Sequence, residues 1–410
     1  MRKDVFLTEL LRKDVFPAKH LRRNVFPAEL LWKDVFLTKL LRDVLFGFRR
    51  AWMKKLLDGF DPRHVFLWLA SVEYELHSDL DLYWREEDVQ FLRKTPAGED
   101  TQCLRKVSAG DGVQCLQKDS AGEDAQCLRK VSAREDAQCL QKVSAGESAL
   151  QFPGLAYRVR VFLHAVEALP FAEENVIYRN EKLTVWKAGG KEYRGFYAQF
   201  LKPDSPLYAQ TCFSKVSPEE ARLDIYYLPE RVHWENPNVN VWNFLHIEQV
   251  LLEVGAVVLH CCYTKYQGQA ILFSAPSGTG KTTQGMLWKK YFGSDIINGD
   301  KAILMPVDGR WYAFGHPYHG SARECLNEAY PVKCISVVRQ SPRDQVIKES
   351  PMRIVKDLYS EMTVNHWDAE AVNAALALAM DLAAKLPVVK QFCTMKEDAP
   401  KTLHKYMEFF

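Results

Sequence analysis

The sequence predicts an α/β protein built on a mixed sheet, with a β-rich layer ahead of it and a poorly ordered repeat region at the amino-terminal end. Three observations predict this arrangement. An apolar strand runs directly into a glycine-rich loop and then a helix over Ala270–Thr283. After Gly154, short strands joined by turns replace regular alternation of strand and helix. Two families of near-identical repeats fill most of residues 1–150.

Length and composition bound the class of protein. The 410 residues allow two or three domains, and a net charge of +2 gives no reason to expect a nucleic acid or a membrane surface as partner. We find no apolar core of a signal peptide, and the apolar run Ala371–Leu386 is too short to span a bilayer. The ten cysteines include no C-x-x-C pair. We therefore expect a cytoplasmic protein with reduced thiols and no cysteine-based metal site.

The repeats do not predict a packed structure. Asp-Val-Phe recurs at Asp4, Asp14 and Asp34 with Asn-Val-Phe at Asn24, a spacing of ten, and Gln-Cys-Leu recurs every twelve residues. On a helix these periods turn successive units by about −80° and about +120°, so neither keeps an apolar stripe on one face. Recent duplication, or a start site upstream of the true one, is one interpretation. A basic interaction arm over residues 1–50 is the functional alternative.

Composition shifts divide the chain into five predicted segments. They are decapeptide repeats of low order over 1–50, an unassigned short helical segment over 51–92, disordered dodecapeptide repeats over 93–153, a β-rich recognition layer over 154–240 and a phosphate-loop domain over 241–410. In the last segment, turn signals predict hairpins at Gln267-Gly268 and Asp308-Gly309, and helical spacing predicts helices over Val241–Val254, Thr282–Phe292 and Asp368–Leu386. We expect residues 150–410 to fold and bind ligand without the repeats.

The loop Ala275–Thr282 contains the residues that predict nucleotide binding. It follows the pattern G-x-x-x-x-G-K-[ST], with alanine at the first glycine position. Its two glycines let backbone N–H groups turn toward phosphate oxygens, Lys281 brings a positive charge to them, and the Thr282 hydroxyl is placed to ligate Mg²⁺. The residues expected to bind nucleotide are Ser277, Gly278, Thr279, Gly280, Lys281, Thr282 and Thr283. The alternative is a glycine-rich turn before an ordinary helix. We expect the Lys281 side chain to face solvent when the site is empty.

An acidic residue follows the next strand along the chain. Asp300 lies at the end of the short apolar run Asp295–Asn298, and a single helix separates it from the loop. Two neighbouring strands would bring Asp300 beside the phosphates, where it could hold Mg²⁺ or act as a base. The alternative is an aspartate that only stabilises the turn at Gly299-Asp300.

The order strand, S-G-x-G-K-[ST] loop, short helix, strand, aspartate and hairpin resembles the catalytic domain of bacterial HPr serine kinase/phosphorylase, which is related to phosphoenolpyruvate carboxykinase. The resemblance covers about Leu245–Val338 and extends more faintly to the carboxy terminus. It implies a mixed-sheet P-loop domain of that type, with ATP and Mg²⁺ as cofactors. His260, which heads a hairpin before the loop, is similar to a histidine of that family.

Two positions depart from the family pattern. The family commonly has two adjacent acidic residues where this chain has Gly299 and Asp300, and Ala275 replaces the first loop glycine. Arg323 lies where the family's phosphorylase chemistry would be; it could stabilise charge on a transferred phosphoryl group, or it could be a surface arginine. The nearby His316 and His319 fit structural roles better than catalytic ones.

Two functions remain open at this point. The first is an ATP–Mg²⁺-dependent phosphotransferase that uses Lys281, Asp300 and Arg323 and acts on a hydroxyl of an unidentified protein or small molecule. The second is a nucleotide-binding regulatory protein with little or no catalysis, which the missing acidic partner at Gly299 favours. The β-rich segment is the candidate layer for recognising the acceptor.

Overall fold

The computed structural model describes residues 63–79, 86–93, 154–197, 206–232, 241–319 and 324–409. The decapeptide repeats and nearly all of the dodecapeptide segment predicted over 93–153 therefore lie outside the described residues. Within the described ranges, no helix combines the length and apolar character needed to cross a bilayer.

The first sheet contains nine strands among the described residues. Its strands are β1 (His64–Leu69), β2 (Val72–Ser78), β3 (Leu92–Arg93), β4 (Tyr157–Ala165), β5 (Val176–Arg179), β6 (Leu183–Ala188), β7 (Lys191–Tyr197), β8 (Leu207–Ser217) and β9 (Glu220–Tyr227), with a 3₁₀ helix over Glu86–Phe91. The strand order is β3-β1-β2-β4-β9-β8-β7-β6-β5. Strand β4 pairs in parallel with both β2 and β9, and the other neighbours are antiparallel.

The predicted helical segment over 51–92 is wrong over residues 64–78, where strands β1 and β2 form a hairpin, and only the 3₁₀ turn at Glu86–Phe91 is helical among its described residues. A short, continuously apolar run explains strand β1, which is buried on both faces. Val65, Leu67 and Leu69 of β1 are at most 1% exposed, and Tyr74 and Leu76 of β2 are fully buried. The intervening Phe66 and Trp68 are also buried, at 6% exposed, and a run this short with aromatic residues and valine favours a strand over a helix.

This hairpin also argues against the expectation that residues 150–410 fold alone. Val72 of β2 lies opposite Tyr157 of β4, and the parallel pairing continues to the end of β2. Removing the hairpin would leave one edge of β4 unpaired, although β4 would still pair with β9, and would uncover Val159 and Val161, which are fully buried. A fragment that begins before His64 is the smaller unit that the structure favours.

The second sheet follows a 3₁₀ helix (Val241–Phe244). The remaining elements are α1 (Ile247–Glu253), β10 (Val257–Tyr266), β11 (Gln269–Ser274), α2 (Lys281–Phe292), β12 (Asp295–Asn298), β13 (Lys301–Val307), β14 (Arg310–Phe314), β15 (Ala329–Gln340), β16 (Gln345–Ile347), α3 (Pro351–Glu361), β17 (Met362–Thr363), α4 (Ala369–Lys385), β18 (Val388–Cys393) and α5 (Asp398–Met407). The order is β11-β10-β13-β14-β15-β18-β16, and β12 and β17 both pair with β10.

Both predicted hairpin turns of this sheet are confirmed. The pairs Gln267-Gly268 and Asp308-Gly309 have φ angles of 49° and 70°, and of 49° and 78°. Two successive left-handed residues give the turn whose twist suits a two-residue hairpin. They join β10 to β11 and β13 to β14 in antiparallel register.

The predicted helix over Val241–Val254 is only partly correct. The chain forms one 3₁₀ turn, breaks at His246 and continues as α1. His246 has a left-handed φ of 51°, and its ring is within hydrogen-bond distance of Thr211 Oγ1 (2.8 Å) and Gln249 Oε1 (3.0 Å). A buried, paired histidine fixes the break at this position.

The second sheet closes on itself, because β15 pairs in parallel with β11 as well as antiparallel with β14. Leu259, Tyr263, Leu304 and Trp311 belong to the apolar core that forms on one side of these strands. A second core, which includes Trp288 of α2, lies on the other side. Helix α2, which follows the glycine-rich loop, is therefore anchored against the sheet.

Gly285 allows this close approach of helix and sheet. A Cβ atom at Gly285 would lie 2.5 Å from the Sγ of Cys262 and 3.3 Å from the Cγ2 of Thr264. We expect Gly285→Ala to lower the free energy of unfolding by about 1–3 kcal/mol, because overpacking outweighs the better helix propensity of alanine. Urea unfolding measures the change. The double variant Cys262→Ala/Gly285→Ala should recover most of it; an undiminished loss in the double variant would contradict this cause.

Candidate functional site

The glycine-rich loop joins the end of β11 to the start of α2. Gly278 and Gly280 have φ angles of 75° and 110°, in the region that favours glycine. No heavy atom lies within 4 Å of a Cβ built at either residue, so the backbone angle, rather than a lack of space, requires glycine. Pro276, Ser277 and Gly278 are exposed. The tip of the loop is therefore open to a ligand.

The prediction that Lys281 faces solvent is wrong. Lys281 is 6% exposed, and its Nζ donates hydrogen bonds to the carbonyl oxygens of Ala275 (2.7 Å) and Pro276 (3.3 Å). Burial lowers the pKa of Lys281, while the nearby carboxylates of Glu361 and Asp300 act to raise it. The ammonium group thus lies inside the loop that it would use to bind an anion.

Asn298, rather than Asp300, closes the turn after β12. The Asn298 Oδ1 accepts hydrogen bonds from the backbone N–H of Asp300 (2.8 Å) and of Lys301 (2.9 Å). Its Nδ2 donates to the carbonyl oxygens of His316 (2.8 Å) and Tyr318 (2.7 Å). Since Asn298 already performs the turn role, the carboxylate of Asp300 is available for another one, and it is 33% exposed.

Two backbone contacts bring the Asp300 turn beside the loop. The Thr282 hydroxyl, in the first turn of α2, donates to the carbonyl oxygen of Gly299 at 3.4 Å. The N–H of Cys261 donates to the carbonyl oxygen of Asp300 at 3.0 Å. The two residues predicted to hold a metal, Thr282 and Asp300, therefore lie at the same end of the sheet. Thr283 follows on α2 and is partly buried.

His260 connects Asp300 to a second carboxylate. Its Nδ1 lies 2.9 Å from the Oε2 of Glu361, and its Nε2 lies 3.7 Å from the Oδ1 of Asp300. An ionised carboxylate only accepts hydrogen bonds, so the Nδ1 of His260 carries the proton of the shorter contact. The Ser274 hydroxyl donates to the His260 carbonyl oxygen at 3.0 Å, which ties this strand to the start of the loop. Glu361, His260 and Asp300 form a chain of polar groups.

Glu361 is the site residue that the sequence did not reveal. It is the last residue of α3, and the adjacent Met362 begins β17, which pairs with β10 at Leu259. That pairing brings Glu361 next to His260 from about a hundred residues away. No motif in its neighbourhood carries a signal, and a two-residue strand is too short for a pattern to predict.

Three further residues were considered in the sequence analysis. Arg323 lies outside the described residues. His316 is 2% exposed, and its Nδ1 accepts a hydrogen bond from the Tyr318 N–H at 3.0 Å. His319 ends the described segment that precedes Arg323. The structural role predicted for His316 is confirmed.

The burial of His316 makes stability depend on pH. Burial holds the pKa of His316 and of His246 well below the usual value of 6.5, and a nearby cation, Lys301 or Arg194, lowers each further. Below about pH 6.5 the unfolded chain takes up protons that the folded chain does not, so stability falls as pH falls. We expect a loss of up to about 1.4 kcal/mol per pH unit for each histidine. Urea unfolding at about pH 7 and about pH 5.5 measures it; His316→Asn should reduce the slope, and an unchanged slope would contradict this cause.

Comparisons with known proteins show weak structural similarity and no sequence match. No protein-family model matches the chain, and no curated protein matches it. Among solved structures, it is similar to the Hpr(Ser) kinase/phosphatase from Coxiella burnetii, with 9% sequence identity and a TM-score of 0.18. The match covers 23% of this chain and 66% of that one. A similarity this low carries no argument about fold or activity, so the case for function depends on the residues of the site.

Proposed function

We propose that this protein is an ATP–Mg²⁺-dependent phosphotransferase that acts on a hydroxyl group, with a mixed-sheet P-loop domain of the HPr kinase and phosphoenolpyruvate carboxykinase type. One observation carries the proposal: Lys281, Asp300, His260 and Glu361 converge beside an exposed glycine-rich loop. A turn that only starts a helix has no need for a buried lysine and two carboxylates at its base. The weak structural similarity reported above is not part of this argument.

The loop supplies the nucleotide-binding groups. Backbone N–H groups from Ser277 to Gly280 and the positive end of α2 suit an anion. The Lys281 ammonium would leave the carbonyl oxygens of Ala275 and Pro276 and bind phosphate oxygens instead. Thr282 and Asp300 are the residues that would hold Mg²⁺, an ion that prefers oxygen ligands and neutralises phosphate charge.

The His260–Glu361 pair offers a solution to the missing second acid at Gly299. If Asp300 holds the metal, another group must accept the proton of the acceptor hydroxyl. In the neutral ring with its proton on Nδ1 toward Glu361, Nε2 is the atom that would accept a proton, and it lies 3.7 Å from the Oδ1 of Asp300. In transfer, the bond from the γ-phosphorus to its bridging oxygen breaks, a bond to the acceptor oxygen forms, and the released proton goes to this Nε2.

A specific observation favours a second function. Only one acidic residue stands at the end of β12, and Lys281 is held by the carbonyl groups of its own loop. Both features suit a protein that binds nucleotide for regulation with little catalysis. The full chain incubated with γ-labelled ATP and Mg²⁺ distinguishes the two. Label released to water or transferred to any hydroxyl acceptor supports the phosphotransferase; saturable binding without release supports the regulatory protein.

Glu361 provides a more specific test of the proton route. Glu361→Gln keeps the shape of the side chain and removes its charge, so we expect phosphoryl transfer to fall about 10- to 100-fold, as for other residues that orient a reacting histidine. ATP affinity should change little, because Glu361 contacts His260 and affects the loop only through its electrostatic interaction with Lys281. The exposed Glu370 gives the control variant Glu370→Gln. Equal rates in the wild type and Glu361→Gln would exclude the proposed route.

A further inference from the structure

We propose that the outer face of the β1–β2 hairpin binds a zinc-class divalent cation through His64, Glu75 and His77. These residues lie in the first sheet, and the proposed phosphotransfer site does not use them. Across the described residues, they form the group of three histidine, cysteine or carboxylate side chains whose ligand atoms all lie within 4.8 Å of one another. Two histidines and one glutamate are a ligand set that zinc uses in proteins.

The strand register places the three side chains on one face. His64 of β1 lies directly opposite His77 of β2, and Glu75 precedes His77 by two residues. Residues two apart in a strand point to the same side, and directly opposed residues have neighbouring Cβ atoms. The inner face of the same hairpin is buried, so the backbone that carries the three ligands is fixed.

The two distances from Glu75 to the histidines suit a tetrahedral ion. The Oε1 of Glu75 lies 3.1 Å from the Nε2 of His64 and 3.3 Å from the Nε2 of His77. Two ligands about 2.0–2.1 Å from a tetrahedral zinc ion are about 3.3 Å apart. Both imidazole rings thus direct Nε2, a usual zinc-binding atom, toward the same carboxylate oxygen.

Neighbouring groups keep the two histidines side by side. The His64 and His77 rings stack at 4.4 Å with 17° between their planes, and His77 stacks on Phe162 at 5.1 Å and 13°. Because each Nε2 lone pair lies in its ring plane, binding of one ion by both rings requires the exposed His64 ring to turn out of this stack. Arg160 Nε lies 3.8 Å from the Oε2 of Glu75, the oxygen that does not face the histidines. Outer groups of this kind orient metal ligands, although the arginine also reduces the charge that Glu75 offers to a cation.

The site is open on its outer side. The His64 and His77 side chains are 41% and 37% exposed, while that of Glu75 is 19% exposed. Three protein ligands and an accessible fourth position are typical of zinc sites that keep a water molecule or receive a donor from a partner. The alternative is an ordinary pair of histidine–carboxylate hydrogen bonds, which requires no metal.

Zinc titration of the full chain decides between these alternatives. The variants are His64→Gln and His77→Gln, with His366→Gln as the control, because His366 is exposed and belongs to the second sheet region. We expect the wild type and His366→Gln to bind one more equivalent of Zn²⁺ than either of the other variants. Zinc should also raise the melting temperature through this site in the wild type and the control. Circular dichroism checks that each variant is folded; if His77→Gln is not, His64→Gln provides the test.

Co²⁺ substitution separates this site from cysteines elsewhere in the chain, since thiolate ligands give charge-transfer absorption that nitrogen and oxygen ligands lack. The proposal predicts a Co²⁺ spectrum without that absorption for the equivalent lost in His64→Gln. Equal zinc stoichiometry in all four proteins, or a lost equivalent with thiolate absorption, would overturn the proposal and leave a hydrogen-bonded surface cluster.

Discussion

Lys281→Ala should lower the affinity for ATP at least 100-fold, which corresponds to about 2.7 kcal/mol of binding free energy. The variant removes the positive charge that the loop directs at phosphate oxygens, and no other cation replaces it in the loop sequence Ala275–Gly280. Calorimetric titration with ATP and Mg²⁺ measures the change. Lys289→Ala is the matched control, because Lys289 is exposed in the last turn of the same helix.

The same variant tests what the lysine does without ligand. Its Nζ donates to two loop carbonyl groups and the side chain is buried, so Lys281→Ala should also destabilise the free protein, by about 1 kcal/mol. This loss is smaller than the loss in binding because burial already disfavours the charged form of Lys281 and lowers its pKa in the free protein. An unchanged ATP affinity in a folded variant would mean that the loop is only a turn.

Asp300→Asn should reduce Mg²⁺-dependent phosphoryl transfer about 100- to 1,000-fold, the range seen when one preorganised group that stabilises the transition state electrostatically is removed. The asparagine keeps the size of the side chain but loses the charge that binds the metal. ATP binding measured without Mg²⁺ should stay nearly constant. Initial rates over a range of Mg²⁺ concentrations give the measurement.

Asp308→Asn is the control for Asp300→Asn, since Asp308 lies exposed in the turn of the following hairpin and asparagine tolerates its left-handed backbone. Wild-type rates in Asp300→Asn at every Mg²⁺ concentration would make Asp300 a turn residue. That outcome would conflict with the structure, in which Asn298 forms the hydrogen bonds of the turn.

Local signals in the sequence predicted the parts of the fold that local residues determine. The turns at Gln267-Gly268 and Asp308-Gly309 need two left-handed residues in succession, and glycine at the second position marks them. The strand-to-helix transition at the loop was predictable for the same reason, because Gly278 and Gly280 adopt backbone angles that other residues avoid.

Contacts between distant segments were not predictable from pattern. The hairpin of β1 and β2 joins the first sheet through parallel pairing with β4, across an intervening segment that gives no signal of this pairing. Glu361 reaches His260 because β17 pairs with β10. Lys281 was expected in solvent because its usual ligand is an anion; without one, loop carbonyl groups are the nearest acceptors.

Titration of the full wild-type chain with ATP, with and without Mg²⁺, tests the central claim most directly. Isothermal calorimetry reports affinity and stoichiometry in one experiment. The loop, Lys281, Thr282 and Asp300 together predict saturable binding of one ATP per chain that becomes tighter when Mg²⁺ is present. Absence of binding at ATP concentrations well above about 1 mM, where ordinary nucleotide sites are filled, would contradict the claim.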